Sequence, residues 1–205
     1  MQAYDAVADA LSDSGYAIFD GFLKPNEVEA LRQIIEDDVD QNRMKKAGIG
    51  TLNQFQVIKE IRGDYIRWID PETAAPATRA VLDRLAELQQ FLNRALYLGI
   101  RDLEIHFAKY PVGTHYDRHL DQFQVTSHRV LSVVMYLSEG WEPGDGGELM
   151  MYLPSGDQKI EPIPGRLVMF LSDSIEHEVL VTHRPRYSMT GWFLNQPVDI
   201  PFVRP

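Results

Sequence analysis

The stretch Tyr116-Asp117-Arg118-His119-Leu120-Asp121 places an imidazole and a carboxylate two residues apart. On an extended strand such residues project from one face, so His119 and Asp121 can grip a metal ion from one side. A third ligand from a distant segment would complete a two-histidine, one-carboxylate set, which suits Fe(II) and leaves coordination positions open. His177 is the candidate, in Leu171-Ser172-Asp173-Ser174-Ile175-Glu176-His177-Glu178-Val179-Leu180, where a polar loop gives way to a strand. A second pair, His115-x-Asp117, has the same parity. It directly follows the turn Pro111-Val112-Gly113-Thr114, where backbone is least regular, so His119 and Asp121 are favoured and His115 reads as a surface residue.

An independent signal lies near the end of the chain. In Arg186-Tyr187-Ser188-Met189-Thr190-Gly191-Trp192-Phe193, alternation puts an arginine, two hydroxyls and an indole on one face. A guanidinium there needs solvent or an anionic partner. With a hydroxyl donor beside it, it could hold a carboxylate bidentately, as an anchor for a dicarboxylate cosubstrate requires. The stretch Leu103 to Tyr110 alternates too: Leu103, Ile105 and Phe107 face one way, and His106, Ala108 and Tyr110 face the other, as a pocket lining would. Tyr136 alternates with Val134 and Ser132 on a further strand.

The elements that must position these residues change character near Arg101. Before it, a short helix over about Tyr4 to Ser12 is followed by a strand over Tyr16 to Leu23 and a helix from Pro25 to Val39. A basic, Gly-containing loop over about 43 to 56 could be a lid over a site. Strand candidates at 56–61 and Tyr65–Ile69 flank Arg62-Gly63-Asp64, and a long helix is predicted from Pro71 to Leu96 with a core stripe at Val81, Leu82, Leu85, Leu88 and Leu92. After Arg101 the period becomes 2, with strands at 102–110, 116–121, 129–138, 147–153, 159–163, 166–171, 177–182 and 186–194. Short strands separated by Pro-Gly turns suggest a double-sheet jelly roll. The fold class is therefore α+β, one domain over 1–205, helical to about 96 and jelly roll over about 101–195.

Composition narrows the function. A formal charge of −10 and a pI near 5.0 lack the basic footprint of nucleic-acid binding. The absence of cysteine excludes disulfides, Cys-ligated zinc and thiol catalysis. No apolar run reaches a membrane span and no signal peptide is evident, so the expected location is cytoplasmic.

Taken together, residues 57 to 194 resemble the prolyl 4-hydroxylase superfamily of Fe(II) and 2-oxoglutarate dioxygenases, most of all the Egl-nine type and its shorter bacterial relatives. The motifs are Ile61-Arg62-Gly63-Asp64-x-Ile66-x-Trp68-Ile69, Tyr110-Pro111, Tyr116-x-Arg118-His119-x-Asp121, Tyr136-Leu137, Gly146-Gly147-x-Leu149 and His177-Glu178-Val179 with Arg186-Tyr187. The resemblance implies a jelly-roll (double-stranded β-helix) core with His119, Asp121 and His177 as Fe(II) ligands. It implies that Arg186 pairs with the distal carboxylate of 2-oxoglutarate, with Tyr136 and Thr190 assisting and Tyr110 and Leu149 lining that pocket. Trp68, Ile66, Tyr116, Arg129 and Trp192 would form the surface for a target proline. Dioxygen is the second cosubstrate, ascorbate the expected reductant, and an elongation factor Tu-type GTPase the expected protein partner. Alternatives are the same chemistry on another side chain or a small molecule, or a metal-binding module without turnover. Zinc would accept the same ligands but would leave Arg186 without an assigned partner.

Overall fold

The change of hydrophobic period near residue 101 marks the passage from a helical part to an unbroken run of strands. A computed structural model of the chain describes residues 2–48, 62–122 and 128–196. The first part holds α1 (Gln2–Ser14), β1 (Tyr16–Phe19), α2 (Pro25–Asp40), β2 (Lys45–Lys46), β3 (Tyr65–Trp68) and α3 (Pro76–Leu96). The second holds β4 (Asp102–Tyr110), β5 (Tyr116–His119), β6 (Arg129–Tyr136), β7 (Leu149–Tyr152), β8 (Gln158–Ile160), β9 (Leu167–Leu171), β10 (Glu176–Val179) and β11 (Arg186–Leu194).

These strands form two sheets, a seven-stranded one in the order β1-β9-β6-β11-β4-β3-β2 and a four-stranded one in the order β5-β10-β7-β8. This is the α+β jelly roll that the alternation predicts. The central strands of the seven-stranded sheet are buried on both faces. Leu131, Val133 and Met135 of β6, Leu167 and Met169 of β9, and Ile105 and Phe107 of β4 pack with Val81, Leu85, Leu88 and Leu92 of α3 and with α1 and α2. On its other face, Val134, Tyr136, Val168 and Phe170 meet Leu149 and Met151 of the smaller sheet. Period-2 alternation thus feeds two separate cores from single strands.

Several boundaries differ from expectation. Helix α3 begins at Pro76 rather than Pro71. A residue that precedes proline is pushed out of the helical region, and Ala75 is extended at φ −59°, ψ 153°. Residues after Pro71 instead turn on the Asp70 carboxylate, which accepts from the Glu72 amide at 2.9 Å and the Thr73 hydroxyl at 3.2 Å. The predicted loop after residue 42 contains β2, paired with Tyr65 and Ile66 of β3. Asp38, fully buried, binds Arg43 at 2.7 Å and also Arg67 of β3, tying this hairpin to α2. The strand predicted at 56–61 and most of the lid reading for 43–56 lie outside the described residues. Among the described residues, no helix is long and apolar enough to cross a membrane.

Candidate active site

β10 lies between β5 and β7, and its register sets His177 directly opposite His119. The sequence expects Asp121 to share the strand face of His119, yet β5 ends at His119 and Asp121 sits in a bend. Side-chain bonds aim the carboxylate instead. The Ser132 hydroxyl, on the inward face of β6, donates to Asp121 Oδ2 at 2.6 Å and lies 2.9 Å from the Ser172 hydroxyl. Arg129 Nη1 donates to the Asp121 carbonyl at 3.2 Å.

His119, Asp121 and His177 each offer one ligand atom, and these atoms lie within 4.8 Å of one another. Asp121 Oδ1 is 3.5 Å from His119 Nε2, and its Oδ2 is 3.5 Å from His177 Nε2. Both Nδ1 atoms face backbone carbonyls, of Asp117 at 2.7 Å and of Ile175 at 3.1 Å. A carbonyl can only accept, so each Nδ1 carries the proton and each Nε2 turns a lone pair toward the carboxylate. Burial pushes His177 down to about 4, with Asp121 opposing and His119 adding to the shift. Burial raises Asp121, but the two histidines and Arg129 outweigh it and hold the carboxyl well below its usual range. An ionised carboxylate among inward lone pairs is a cluster of acceptors that a cation satisfies. The donor set fits a divalent metal with nitrogen and oxygen preferences. His115, read from sequence as a surface residue, is half-buried and pairs with Asp117 at 3.0 Å, outside this cluster.

The triad opens on a cavity lined by residues that include Tyr110, Tyr116, Leu149, Arg186, Thr190 and Trp192. Arg186 is 3 % exposed; its Nε donates to the Gly147 carbonyl at 2.9 Å. No carboxylate pairs with it among the described residues, and its guanidinium lies 5.0 Å from the Tyr110 ring centre and 5.1 Å from that of Tyr136. Among the described residues the Tyr136 hydroxyl is buried without a hydrogen-bond partner. A guanidinium without a counter-ion beside an unsatisfied phenol fits a carboxylate guest. Gly147 is required here, since at φ +72° a Cβ would stand 2.9 Å from Arg186 Cδ.

Aromatic residues gather at the triad end of the cavity. Tyr116 stacks on His119 with ring centres 3.8 Å apart. Trp68 and Trp192 lie 6.3 Å apart, and the Arg129 guanidinium covers Trp192 at 3.5 Å while pairing with Glu104 at 2.7 Å. Ile66 and Tyr116 pack against the buried cluster of Ala108, Tyr110 and Val179. Ile66, Trp68, Arg129 and Tyr136 stand behind or beside the lining rather than in it.

The fold recurs in proteins of known type. The 2OG-Fe(II) oxygenase superfamily profile matches residues 105–194. The crystal structure of a Pseudomonas putida prolyl-4-hydroxylase superposes with a TM-score of 0.86 at 39 % identity, covering 95 % of this chain and 100 % of that one. This chain belongs to the prolyl 4-hydroxylase family of 2OG-Fe(II) oxygenases. A Trichoplax adhaerens prolyl hydroxylase, solved with a hypoxia inducible factor peptide fragment, matches with a TM-score of 0.84 at 26 % identity over 95 % of this chain and 90 % of that one. The hypoxia-inducible factor prolyl hydroxylase of Caenorhabditis elegans is 29 % identical over 93 % of this chain, which spans only 28 % of that protein's length.

Within this prolyl hydroxylase fold, one pair of cavity residues had no role assigned from sequence. Arg62 Nε donates to Asp64 Oδ1 at 2.6 Å and its Nη2 to Oδ2 at 2.9 Å, a bidentate pair. The guanidinium lies 4.6 Å from the Tyr116 ring centre. Burial works against its charge, yet Asp64 prevails and raises its pKa. The pair clamps Tyr116 over the triad. The available signal was two opposite charges around a glycine between apolar strands.

Proposed function

We propose that the chain hydroxylates C4 of a prolyl residue in a protein, using Fe(II), 2-oxoglutarate and dioxygen, with residues 1–205 acting as one domain. The observation that carries the reading is the buried Arg186 without a carboxylate partner, set in the same cavity as an acceptor-only His119, Asp121, His177 cluster. A zinc site or a binding module would have no use for that arginine.

In this reading His119, Asp121 and His177 hold the iron, and the Nδ1 bonds fix both imidazoles in the ligating tautomer. Arg186 takes the distal carboxylate of 2-oxoglutarate, with the hydroxyls of Tyr136 and Thr190 as further donors and Tyr110 and Leu149 as walls. The bound iron and its cosubstrates supply the oxidation that turns C–H into C–OH, with succinate and carbon dioxide as coproducts. The protein's own share is placement and exclusion of water. Tyr116 and Trp192 offer flat apolar faces to a pyrrolidine ring, with Trp68 packed against Trp192 and Ile66 behind the Tyr110 wall as support. Arg129, neutralised by Glu104, holds Trp192 in place. Ascorbate serves as reductant. The likeness to short bacterial members supports an elongation factor Tu-type GTPase as the target, in the cytoplasm.

The test is succinate formation from 2-oxoglutarate with Fe(II) and ascorbate under air, with wild type and His119→Ala side by side. Turnover abolished by the substitution, and a proline gaining the mass of one oxygen atom in purified elongation factor Tu, are the expected results. Turnover equal in both proteins would refute the ligand set, and turnover without modified proline would refute the target.

A further inference from the structure

His106 is the described residue with the most unmet polar capacity. It is 1 % exposed, and among the described residues neither ring nitrogen has a hydrogen-bond partner. The ring lines the cavity. It is wedged between Trp68 and Trp192, with ring centres 4.8 and 5.6 Å away, and neither neighbour accepts from it. A neutral imidazole brings one donor and one acceptor, and burying both unpaired is costly when a methionine or leucine would fill the space. Such a cost on a cavity wall points to a group satisfied by what the cavity holds.

Register identifies which part of the guest it meets. On the paired strands β4 and β11, Tyr110 faces Arg186, Ala108 faces Ser188 and His106 faces Thr190. The His106 Cα therefore stands about 13 Å along the floor from that of Tyr110, four strand residues away. The Arg186 side chain reaches back along β11, its Nη1 3.4 Å from the Ser188 hydroxyl, which is 3.1 Å from that of Thr190, so the gap between guanidinium and imidazole is much shorter than the strand spacing. The His106 end of the floor is the metal end: Asp121 is bonded to Ser132, and Ser132 is the register partner of Trp192, against which His106 packs.

We propose that His106 is a binding residue that donates a hydrogen bond to an oxygen at the oxo-acid end of 2-oxoglutarate, opposite the end that Arg186 holds. The inference rests on the cosubstrate reading above. It makes the floor of the cavity a two-ended clamp, a guanidinium for the distal carboxylate and a neutral imidazole for the oxo acid. The Trp192 indole N–H, also buried and unpaired, stands beside that second end.

The test uses the full chain loaded with Mn(II), with oxygen excluded so that no turnover occurs. 2-Oxoglutarate affinity is read by calorimetry and thermal stability by melting. His106→Met should melt higher than wild type without 2-oxoglutarate, and should bind 2-oxoglutarate about tenfold more weakly. His106→Gln, which keeps a donor, should bind within about threefold of wild type. The inference is overturned if His106→Met binds as tightly as wild type, or if both variants weaken alike, which would mark a packing role. His106→Leu gives the same contrast should the methionine variant not fold. Wild type that binds Mn(II) but not 2-oxoglutarate would overturn the cosubstrate reading itself, a failure seen before any variant is made.

Discussion

The two faces of the seven-stranded sheet are made by the same strands and differ in what their buried atoms lack. On the helix side Leu131, Val133, Met135, Ile105, Phe107, Met189 and Phe193 are at most 3 % exposed and carry no polar side-chain atom. Across the sheet, the intervening residues Ser132, Tyr136, His106, Arg186 and Ser188 are equally buried and polar. Of the buried side-chain nitrogens and oxygens that lack a partner among the described residues, all but the Arg32 Nε belong to His106, Tyr136 and Trp192 on that second face. One face is a solid core that stabilises the fold. The other holds polar groups whose partners must come from outside the chain, at a cost in stability that a bound guest repays.

The largest effect should come from breaking the solid face. Phe107→Ala removes a fully buried ring from the middle of β4, where it packs against the helices. It should destabilise the protein by about 3–5 kcal/mol, read as a lowered urea midpoint. The surviving folded fraction should bind 2-oxoglutarate as wild type does, because the ring points away from the cavity. A weakened affinity with an unchanged midpoint would reverse the assignment of the two faces.

A second prediction concerns the triad, where burial holds His177 neutral. Its pKa falls from 6.5 to about 4, so between those values the unfolded chain binds the extra proton and the folded chain does not. Stability from this group is complete above pH 6.5 and is lost as pH falls toward 4, by about 3 kcal/mol in total at 1.36 kcal/mol per unit. Metal-free protein should show that loss in denaturant melts between pH 7 and pH 4. His177→Gln should flatten the slope, leaving the part due to His106, whose pKa is also pushed down, by burial first and by Arg62 and Arg129. A profile identical in wild type and His177→Gln would mean that His177 is not the group held neutral.

Legibility in the sequence followed length and alternation. The nine-residue strands β4 and β11 were readable end to end, because each repeats the in-out pattern enough times to fix its phase. The short β5 was not: the alternating parity that nominated His119 and Asp121 continues past the point where pairing stops, and Ser132 rather than the strand aims the carboxylate. The proline rule located α3 only roughly, since two prolines competed and the Asp70 turn decided between them. The facing of His177 and His119 is a property of register between strands far apart in sequence, which spacing cannot report. The Arg62–Asp64 pair was visible as charges around Gly63, but its burial over Tyr116 needed the fold. The unpaired state of His106 could not be read at all, because a missing partner is a fact about every neighbour at once.

The smallest predicted effect on stability sharpens the contrast most. Tyr136→Phe removes a single oxygen, one that is buried and unpaired beside Arg186. Burial raises the pKa of this phenol although the neighbouring Arg186 opposes the shift, so the group is neutral, and its O–H has no acceptor among the described residues. Deleting an unsatisfied hydroxyl forfeits no hydrogen bond in the empty protein and relieves its desolvation. The thermal midpoint without 2-oxoglutarate should therefore stay level or rise slightly, where trimming any residue of the helix-facing side lowers it. With 2-oxoglutarate the order inverts: the variant should gain less stability from the cosubstrate than wild type, by an affinity loss of about tenfold. A Tyr136→Phe protein that is clearly less stable when empty would show that the hydroxyl has a partner within the fold, and the cavity-facing side would then be a second core rather than a receptor.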